Sequence, residues 1–158
     1  MAKFDIESFR DNFIDLLQSN MAAKVSEINT EKGDSLIADI PAAQYTSNYN
    51  ETVLNFDVVM YHKIARIETL DSHAGGIARE ITMVFAVVFC NQDDWGIAES
   101  KILRYTRAIE EIFLENARRQ PCISDLTIEA FEPDMVQLSE NSPLFQAGGV
   151  QLKGVITT

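Results

Sequence analysis

The two histidines, His62 and His73, are the residues in this sequence with the clearest potential for acid–base chemistry. His73 follows Asp71 and Ser72, which are the residue types of a hydrolytic triad, but three consecutive residues lack the geometry in which a base activates a nucleophile. At His73 we expect solvent exposure or contact with a partner. His62 falls on the apolar side of an alternating stretch, which favours a structural histidine in the core. The histidines therefore predict no catalytic site.

Neighbouring carboxylates arise by chance in this chain, because it contains 24 Asp and Glu residues. Asp93–Asp94 precedes a predicted helix and is typical of an N-terminal cap; an acid–base pair or a cation site is the alternative. Glu110–Glu111 falls on the solvated side of that helix. Glu68 and Glu80 fall on opposite faces of regular strands, so they cannot form one site directly. We predict that the protein is not an enzyme, with a carboxylate-pair enzyme as the alternative.

The glycine pairs and the cysteines do not predict a ligand site. Neither Gly75–Gly76 nor Gly148–Gly149 has the Lys and Ser or Thr of a phosphate loop, and Gly75–Gly76 is typical of a turn that needs positive φ. Cys90 and Cys122 lack CxxC spacing, so we predict two buried thiols, with a bridge or a metal pair as the alternative. We expect no cofactor and no metal.

Length and charge limit the classes of function. The chain has 158 residues, of which 46% are hydrophobic, and a net charge of −11, so it fits one domain with a substantial core. This charge argues against a general nucleic-acid binder and against docking on anionic membranes, because both need a basic face. Acidic residues follow the N-terminus at once, and the longest apolar run, Met83–Cys90, is too short to span a bilayer. We expect a soluble protein made in a reducing cytoplasm.

Two stretches have the periodicity of amphipathic helices. Residues 5–29 place apolar side chains three and four positions apart, with Asp5 as the N-cap and Gly33 in the run that ends the helix. Residues 94–119 repeat this pattern. The polar faces, including Lys24 on the first helix, are expected to be solvated.

The strongest strand signal is a long hairpin. Apolar residues alternate with polar ones over Leu54–Ile64 and again over Ile77–Phe89. The predicted register places Leu70 opposite Ile77 and Glu68 opposite Arg79, with the tip at Asp71–Gly76. We expect the distal hairpin to project beyond the core.

The remaining segments complete an α+β domain. In chain order we predict a short strand at Ser35–Ile40, a loop or surface arm at Ala42–Asn50, a strand at Leu126–Phe131, a loop at Pro133–Ala147 and a terminal strand at Val150–Ile156. The order is then α–(short β)–β–β–α–β–β. It predicts a single domain over residues 1–158, in which an antiparallel sheet carries both helices on one face.

Charge is distributed unevenly along the chain. The basic residues of the second helix are Lys101, Arg104, Arg107, Arg118 and Arg119. Residues 121–158 contain only Lys153 against five acidic residues. One interpretation is a solvated helix face with i,i+4 pairs, and the other is a charge-complementary face for another subunit. Opposed patches favour head-to-tail contacts, which form rings when they close.

Five stretches that cover most of the chain have a layout in common with a known family. They are Phe9–Ile28, Ile37–Pro41, Leu54–Phe89, Ile102–Phe113 and Val150–Ile156. In size and element order this layout resembles the tail terminator or tail-completion (neck) proteins of long-tailed bacteriophages. The resemblance implies a non-enzymatic structural virion protein, assembled in the host cytoplasm, that forms a ring, usually a hexamer. Such a ring caps the tail tube and joins it to the head connector, while DNA passes through without specific binding.

The resemblance also suggests where subunits meet. The predicted interface residues are Glu68, Asp71, His73, Gly75, Gly76 and Arg79 at the hairpin tip, and Lys101, Arg104 and Arg107 on the exposed helix face. A lumen lined by carboxylates would repel DNA phosphates. The related alternative is another phage head-completion or tube-like protein. The unrelated alternative is a small acidic α+β binding module similar to a secretion chaperone.

Overall fold

The protein folds into two long helices and a five-stranded sheet, as seen in a computed structural model. The structure describes residues 4–47, 56–73, 75–90, 95–116, 120, 122–137, 140 and 144–158. The elements are α1 (Ile6–Lys32), a 3₁₀ turn (Ala42–Gln44), β1 (Tyr45–Thr46), β2 (Val58–His73), β3 (Gly76–Cys90), α2 (Trp95–Asn116), β4 (Ile123–Gln137) and β5 (Leu144–Thr157).

The sheet has the strand order β1-β2-β3-β5-β4. The four long strands pair antiparallel, and the two-residue strand β1 joins β2 in parallel. The ladder between the inner strands β3 and β5 is continuous from Ala78 to Cys90, whereas the register shifts lie against the outer strands β2 and β4. The predicted α+β class with a mostly antiparallel sheet is confirmed.

The two ends of α1 are fixed by local chemistry. Asp5 has extended backbone and its carboxylate accepts a hydrogen bond from the Ser8 amide at 2.9 Å, so it is the N-cap that the sequence predicts. At the other end Gly33 adopts φ 70°, a left-handed conformation that favours glycine, and its N–H bonds to the carbonyls of Asn29 and Thr30. The helix therefore continues to Lys32, three residues beyond the predicted end.

Both helices pack on one face of the sheet, as predicted, and share one apolar cluster with the inward residues of β2, β3 and β5. At its centre, Phe113 of α2 contacts Phe13 of α1 and Phe85 of β3, with ring centroids 5.3 and 5.1 Å apart in edge-to-face geometry. Phe9 extends the stack at 4.9 Å from Phe13. Phe113 thus connects the two helices to the sheet.

Two glycines in β5 allow the helices to approach the sheet closely. A Cβ at Gly148 would overlap Ile102 of α2, and a Cβ at Gly154 would lie 3.0 Å from the Phe9 ring of α1. The helices therefore cross β5 at positions without a side chain.

The hairpin register is correct at its base and wrong toward its tip. Val58 pairs with Phe89 and Ile64 with Met83, as the predicted register requires. Register shifts at Ala65 and Leu70 each add one residue to β2. The observed distal pairs are Glu68 with Glu80, Thr69 with Arg79, and Ser72 with Ile77.

Three predictions about the distal hairpin are therefore wrong. Glu68 and Glu80 lie directly opposite each other on one face, rather than on opposite faces. Pairing continues to His73 and Gly76, so the tip is shorter than Asp71–Gly76. Nor does the distal hairpin project beyond the core as predicted, because β5 runs beside β3 as far as Ala78, and Ile156, which pairs with Arg79, belongs to the core.

The segment Ser35–Ile40 does not form the predicted strand. Ile37 and Ile40 are buried, but the backbone of Ala38 bonds to the Tyr105 hydroxyl of α2, which donates to its carbonyl at 2.6 Å and accepts from its N–H at 3.1 Å. The segment is thus held against the helices rather than in the ladder. The short first strand lies later, at Tyr45–Thr46, inside the predicted loop.

The loop predicted at Pro133–Ala147 is largely strand. β4 continues to Gln137 and β5 begins at Leu144. The register shift between Phe131 and Asp134 contains Pro133, which has no N–H to donate to a ladder. A bulge therefore absorbs the proline, and the strand resumes beyond it.

Candidate subunit interface

The predicted interface residues lie in two groups at opposite ends of β3. The hairpin group surrounds the turn before Gly76, where β3 begins. In the helix group, the Lys101 ammonium lies 5.8 Å from the ring centroid of Phe89, near the end of β3. At about 3.3 Å per residue, the strand separates Gly76 from Phe89 by roughly 40 Å. The structure brings each group together but keeps the two groups apart.

The hairpin group is ordered by contacts with the last residue, Thr158. Arg79 donates to the Thr158 hydroxyl at 2.5 Å, and Ile77 exchanges two backbone hydrogen bonds with Thr158. Gly76 adopts φ 136°, which confirms the predicted positive-φ turn, and a Cβ there would lie 2.9 Å from the Thr158 carbonyl oxygen.

The other described polar residues of the same hairpin group lie at the surface. Glu68 pairs with Arg66 at 2.9 Å, while Asp71 and Gly75 are exposed. The side chain of His73 lies outside the described residues. This end of the sheet therefore presents both positively and negatively charged side chains to solvent.

The helix group pairs its arginines within the chain. Arg104 makes a bidentate contact with Asp34 at 2.5 and 2.8 Å, and Arg107 makes one with Glu31 at 2.9 and 2.6 Å. Arg107 also contacts Glu111 at 2.7 Å, which is the i,i+4 pair of the solvated-face interpretation. These contacts tie α2 to the C-terminal end of α1 and to the chain that follows it.

Lys24 adds a further link between the helices, and the prediction that it is solvated is wrong. Its side chain is only 7% exposed, and its ammonium lies 2.7 Å from Glu115, 2.9 Å from Glu27 and 3.5 Å from Glu111. The hydrogen bonds to Glu115 and Glu27 raise the pKa of Lys24. Sequence periodicity places Lys24 on the edge of the apolar face of α1. Two of its three carboxylate partners, Glu111 and Glu115, lie on α2, so this contact depends on the packing of the two helices.

We expect the two arginine pairs to be lost in acid. Hydrogen bonds from Arg107 and Arg104 lower the pKa values of Glu31 and Asp34 to about 2, whereas unfolded chains have values of about 4. Because both pKa values fall on folding, the stabilisation is complete above about pH 4.5 and disappears as the pH falls toward 2. Urea unfolding at several pH values should show a smaller loss over this interval in Arg104→Gln/Arg107→Gln than in the wild type. Equal losses in both proteins would contradict this assignment.

The sheet has two open edges, a feature that the sequence patterns do not predict. Among the described residues, the outer edge of β2 pairs only with β1, at Met60 and Tyr61, and the outer edge of β4 has no partner strand. Large apolar side chains are exposed on these strands: Ile67 is 48%, Leu70 52% and Phe131 36% exposed. Open edges with exposed apolar side chains are suited to pairing with another chain.

The face of the sheet opposite the helices, here called the bare face because neither α1 nor α2 packs on it, has a buried apolar cluster at one end and charged side chains at the other. Its apolar end holds the cluster Val59, Ala86, Val88 and Phe145. The register places Lys63, Arg66, Glu68, Glu80, Glu129 and Lys153 on its charged part. Arg66 pairs with Glu68 at 2.9 Å, and Lys153 lies 3.7 Å from Glu80.

His62 lies on the helix side of β2, between the buried Met60 and the partly buried Ile64, as the alternation predicts, but the His62 side chain is half-buried at the rim of the core. It lines a cleft of about 390 Å³ together with Arg10 and Asp11, which form an ion pair at 2.7 Å. Its Nδ1 atom is buried and has no hydrogen-bond partner within the described part of the chain. Burial, together with the charge of Arg10, lowers the pKa of His62, so the ring is neutral at pH 7.

The remaining residues that the sequence offered as candidate sites form no ligand site in the part of the chain that the structure describes. Gly148 and Gly149 lie within β5, so they are not a phosphate loop. Cys122 is exposed and free, so the prediction that it is buried is wrong, while the Cys90 side chain and Asp93–Asp94 lie outside the described residues. In the described ranges, no three His, Cys, Asp or Glu side chains are grouped closely enough to hold a metal ion.

Comparisons with known proteins found no family model and no curated protein that matches this chain. Neither α1 nor α2, as far as they are described, has an apolar stretch long enough to cross a membrane.

Proposed function

We propose that the protein is a structural assembly subunit that forms a ring, and that this ring is a tail terminator or neck component of a long-tailed bacteriophage. Its partners are further copies of the chain, the tail tube and the head connector. DNA passes through the ring without being bound.

The observation that supports ring formation is the opposite direction of the two edge strands. Successive strands in the series β2, β3, β5 and β4 are antiparallel, so β2 and β4 run in opposite directions. The β4 edge of one copy can therefore extend its ladder with the β2 edge of the next in the favoured antiparallel sense. This contact joins two different surfaces, and repeated contacts of this kind close into a ring when the rotation permits.

In the proposed ring, the position of the helix layer favours one face of the sheet as the lining of the opening. Both helices cover one face, so a ring of joined sheets curves with the bulky helices outside and the bare face inside. On the bare face Arg66 and Lys153 each have a carboxylate partner. The register also places Asp71, Asp134 and Glu129 there, so that carboxylates outnumber the cations Lys63, Arg66 and Lys153 among the described residues. Paired cations and excess carboxylates attract DNA phosphates weakly, as a passage for DNA requires.

Ring formation is tested by imaging and by sedimentation of the purified protein, alone and with isolated tail tubes. We expect rings with a central opening, in solution or on the ends of the tubes. A protein that remains monomeric at all concentrations, and also in the presence of tubes, would overturn the proposal.

Two variants with equal initial exposure serve as a matched pair in this test. Leu70 on β2 is 52% exposed and Leu103 on the outer side of α2 is 51% exposed. Leu70 is level with Ile123 at the start of β4, so the β4 of the next copy would lie beside it beyond the regular ladder. Leu70→Asp should therefore reduce ring formation, because it adds a charge to this edge, whereas Leu103→Asp should not. Equal effects of the two variants on ring formation would show that the β2 edge is not part of the contact between subunits.

A further inference from the structure

The rows of paired residues across the sheet show which side chains meet when edges join. Lys63 pairs with Val84, Val84 with Gln151, and Gln151 with Glu129. Lys63 and Glu129 are therefore the two ends of one row, on opposite edges and on the same bare face. They carry opposite charges, and both side chains are exposed.

The adjacent row is apolar. Ile64 pairs with Met83, Met83 with Leu152, and Leu152 with Ile128, so Ile64 and Ile128 end this row on the helix side. Both side chains are partly buried and pack against the core from the two edges. A second copy would thus find charge opposite charge on one face and an isoleucine opposite an isoleucine on the other.

Register shifts limit how the two edges can pair. On β2 the regular stretch ends at Ile64, because Ala65 is an extra residue, and β1 occupies the edge at Met60 and Tyr61. On β4 the regular stretch is Thr127–Phe131, between two shifts. Bulges interrupt pairing, so only short stretches around Lys63 and Glu129 can form a regular ladder.

We propose that the second copy binds with its β4 antiparallel to β2, in the register that places Glu129 of one copy beside Lys63 of the next. This proposal rests on the proposed function, since it specifies the contact from which the ring is built. A rotation about an axis parallel to the strands brings the two ends of each row together. The charge complementarity of the Lys63 and Glu129 edges argues for a second copy as the occupant.

The test is a charge swap. Lys63→Glu and Glu129→Lys alone each place like charges together, so each should raise the protein concentration at half-assembly about tenfold. The double variant restores opposite charges and should assemble at nearly the wild-type concentration. Glu99→Lys, an exposed position on α2, is the matched control for the change in net charge and should leave assembly unchanged.

Different outcomes separate this register from the ring itself. If the wild type forms rings but the double variant does not recover, or if Glu99→Lys weakens assembly as much as Glu129→Lys, the register is wrong and the ring remains. If the wild type forms no rings alone or on tail tubes, the proposed function fails, and this contact fails with it.

Cysteine cross-linking provides an independent measurement of the same register. Lys63→Cys/Glu129→Cys should give a ladder of disulfide-linked oligomers under mild oxidation, because facing residues of paired strands lie within disulfide distance. Neither single variant should give this ladder beyond the wild-type background of the native cysteines. A dimer formed by Lys63→Cys alone would indicate a twofold contact between two β2 strands and would overturn the proposal.

Discussion

Phe113→Ala should destabilise the protein by about 3–5 kcal/mol, the range for truncating a buried phenylalanine. Phe113 is completely buried and is the one aromatic ring described that contacts both Phe13 of α1 and Phe85 of β3. Its removal leaves a cavity between the helices and the sheet that the neighbouring rings cannot fill without moving. In a chain of this length the melting temperature should fall by roughly 10 °C or more.

The neighbouring residue provides the control for this variant. Leu114 is 63% exposed on the same turn of α2, so Leu114→Ala removes a side chain of the same helix without opening a cavity. Its free energy of unfolding should lie within about 0.5 kcal/mol of the wild-type value. A loss of less than about 1 kcal/mol in Phe113→Ala would show that this ring does not connect the three elements.

Gly149→Ala should destabilise the protein by about 3 kcal/mol, at the upper end of the range for added core volume. A Cβ at Gly149 would overlap the backbone oxygen of Phe85 and lie 2.8 Å from Cα of Ala86. These atoms belong to the backbone of β3, so no side chain can move away to accommodate the methyl group. The β3–β5 ladder itself must shift.

Gly33→Ala separates this steric effect from the general cost of replacing glycine. Gly33 has φ 70° and no atom within 4 Å of an added Cβ, so its replacement costs only the left-handed backbone strain, about 1 kcal/mol. Chemical unfolding of both variants provides the comparison. A Gly149→Ala variant that is no less stable than Gly33→Ala would mean that the close approach of β3 and β5 is relaxed in solution.

The candidate interface combines a feature that the sequence predicts with one that it does not. The excess of acidic residues after position 121 is a property of composition, and it places Glu129 in a region that favours basic partners. The open edges depend on which strands are outermost in the sheet. That order follows from β5 inserting between β3 and β4, a contact between segments far apart in the chain.

The arginines of α2 also combine contacts that the sequence predicts with contacts that it does not. Their positions on the solvated side follow from helical periodicity, and the Arg107–Glu111 pair is local. The bidentate contacts with Glu31 and Asp34 exist because α1 and α2 pack side by side, which no local pattern specifies. Tertiary packing therefore turns part of the predicted partner surface into contacts within the subunit.

Local sequence patterns predict both helices, the Asp5 cap, the glycine that ends α1, the α+β order and the hairpin register from Val58 to Ile64. These features depend on interactions between residues close in sequence, so the periodicity of apolar residues records them. Four other features depend on tertiary contacts: the register beyond Ala65, the strand beyond Pro133, the burial of Lys24 and the two open edges. Each of these four features depends on the free energy of contacts with a segment distant in sequence. Such a segment accommodates a bulge, supplies a carboxylate or, where it pairs elsewhere, leaves an edge unpaired.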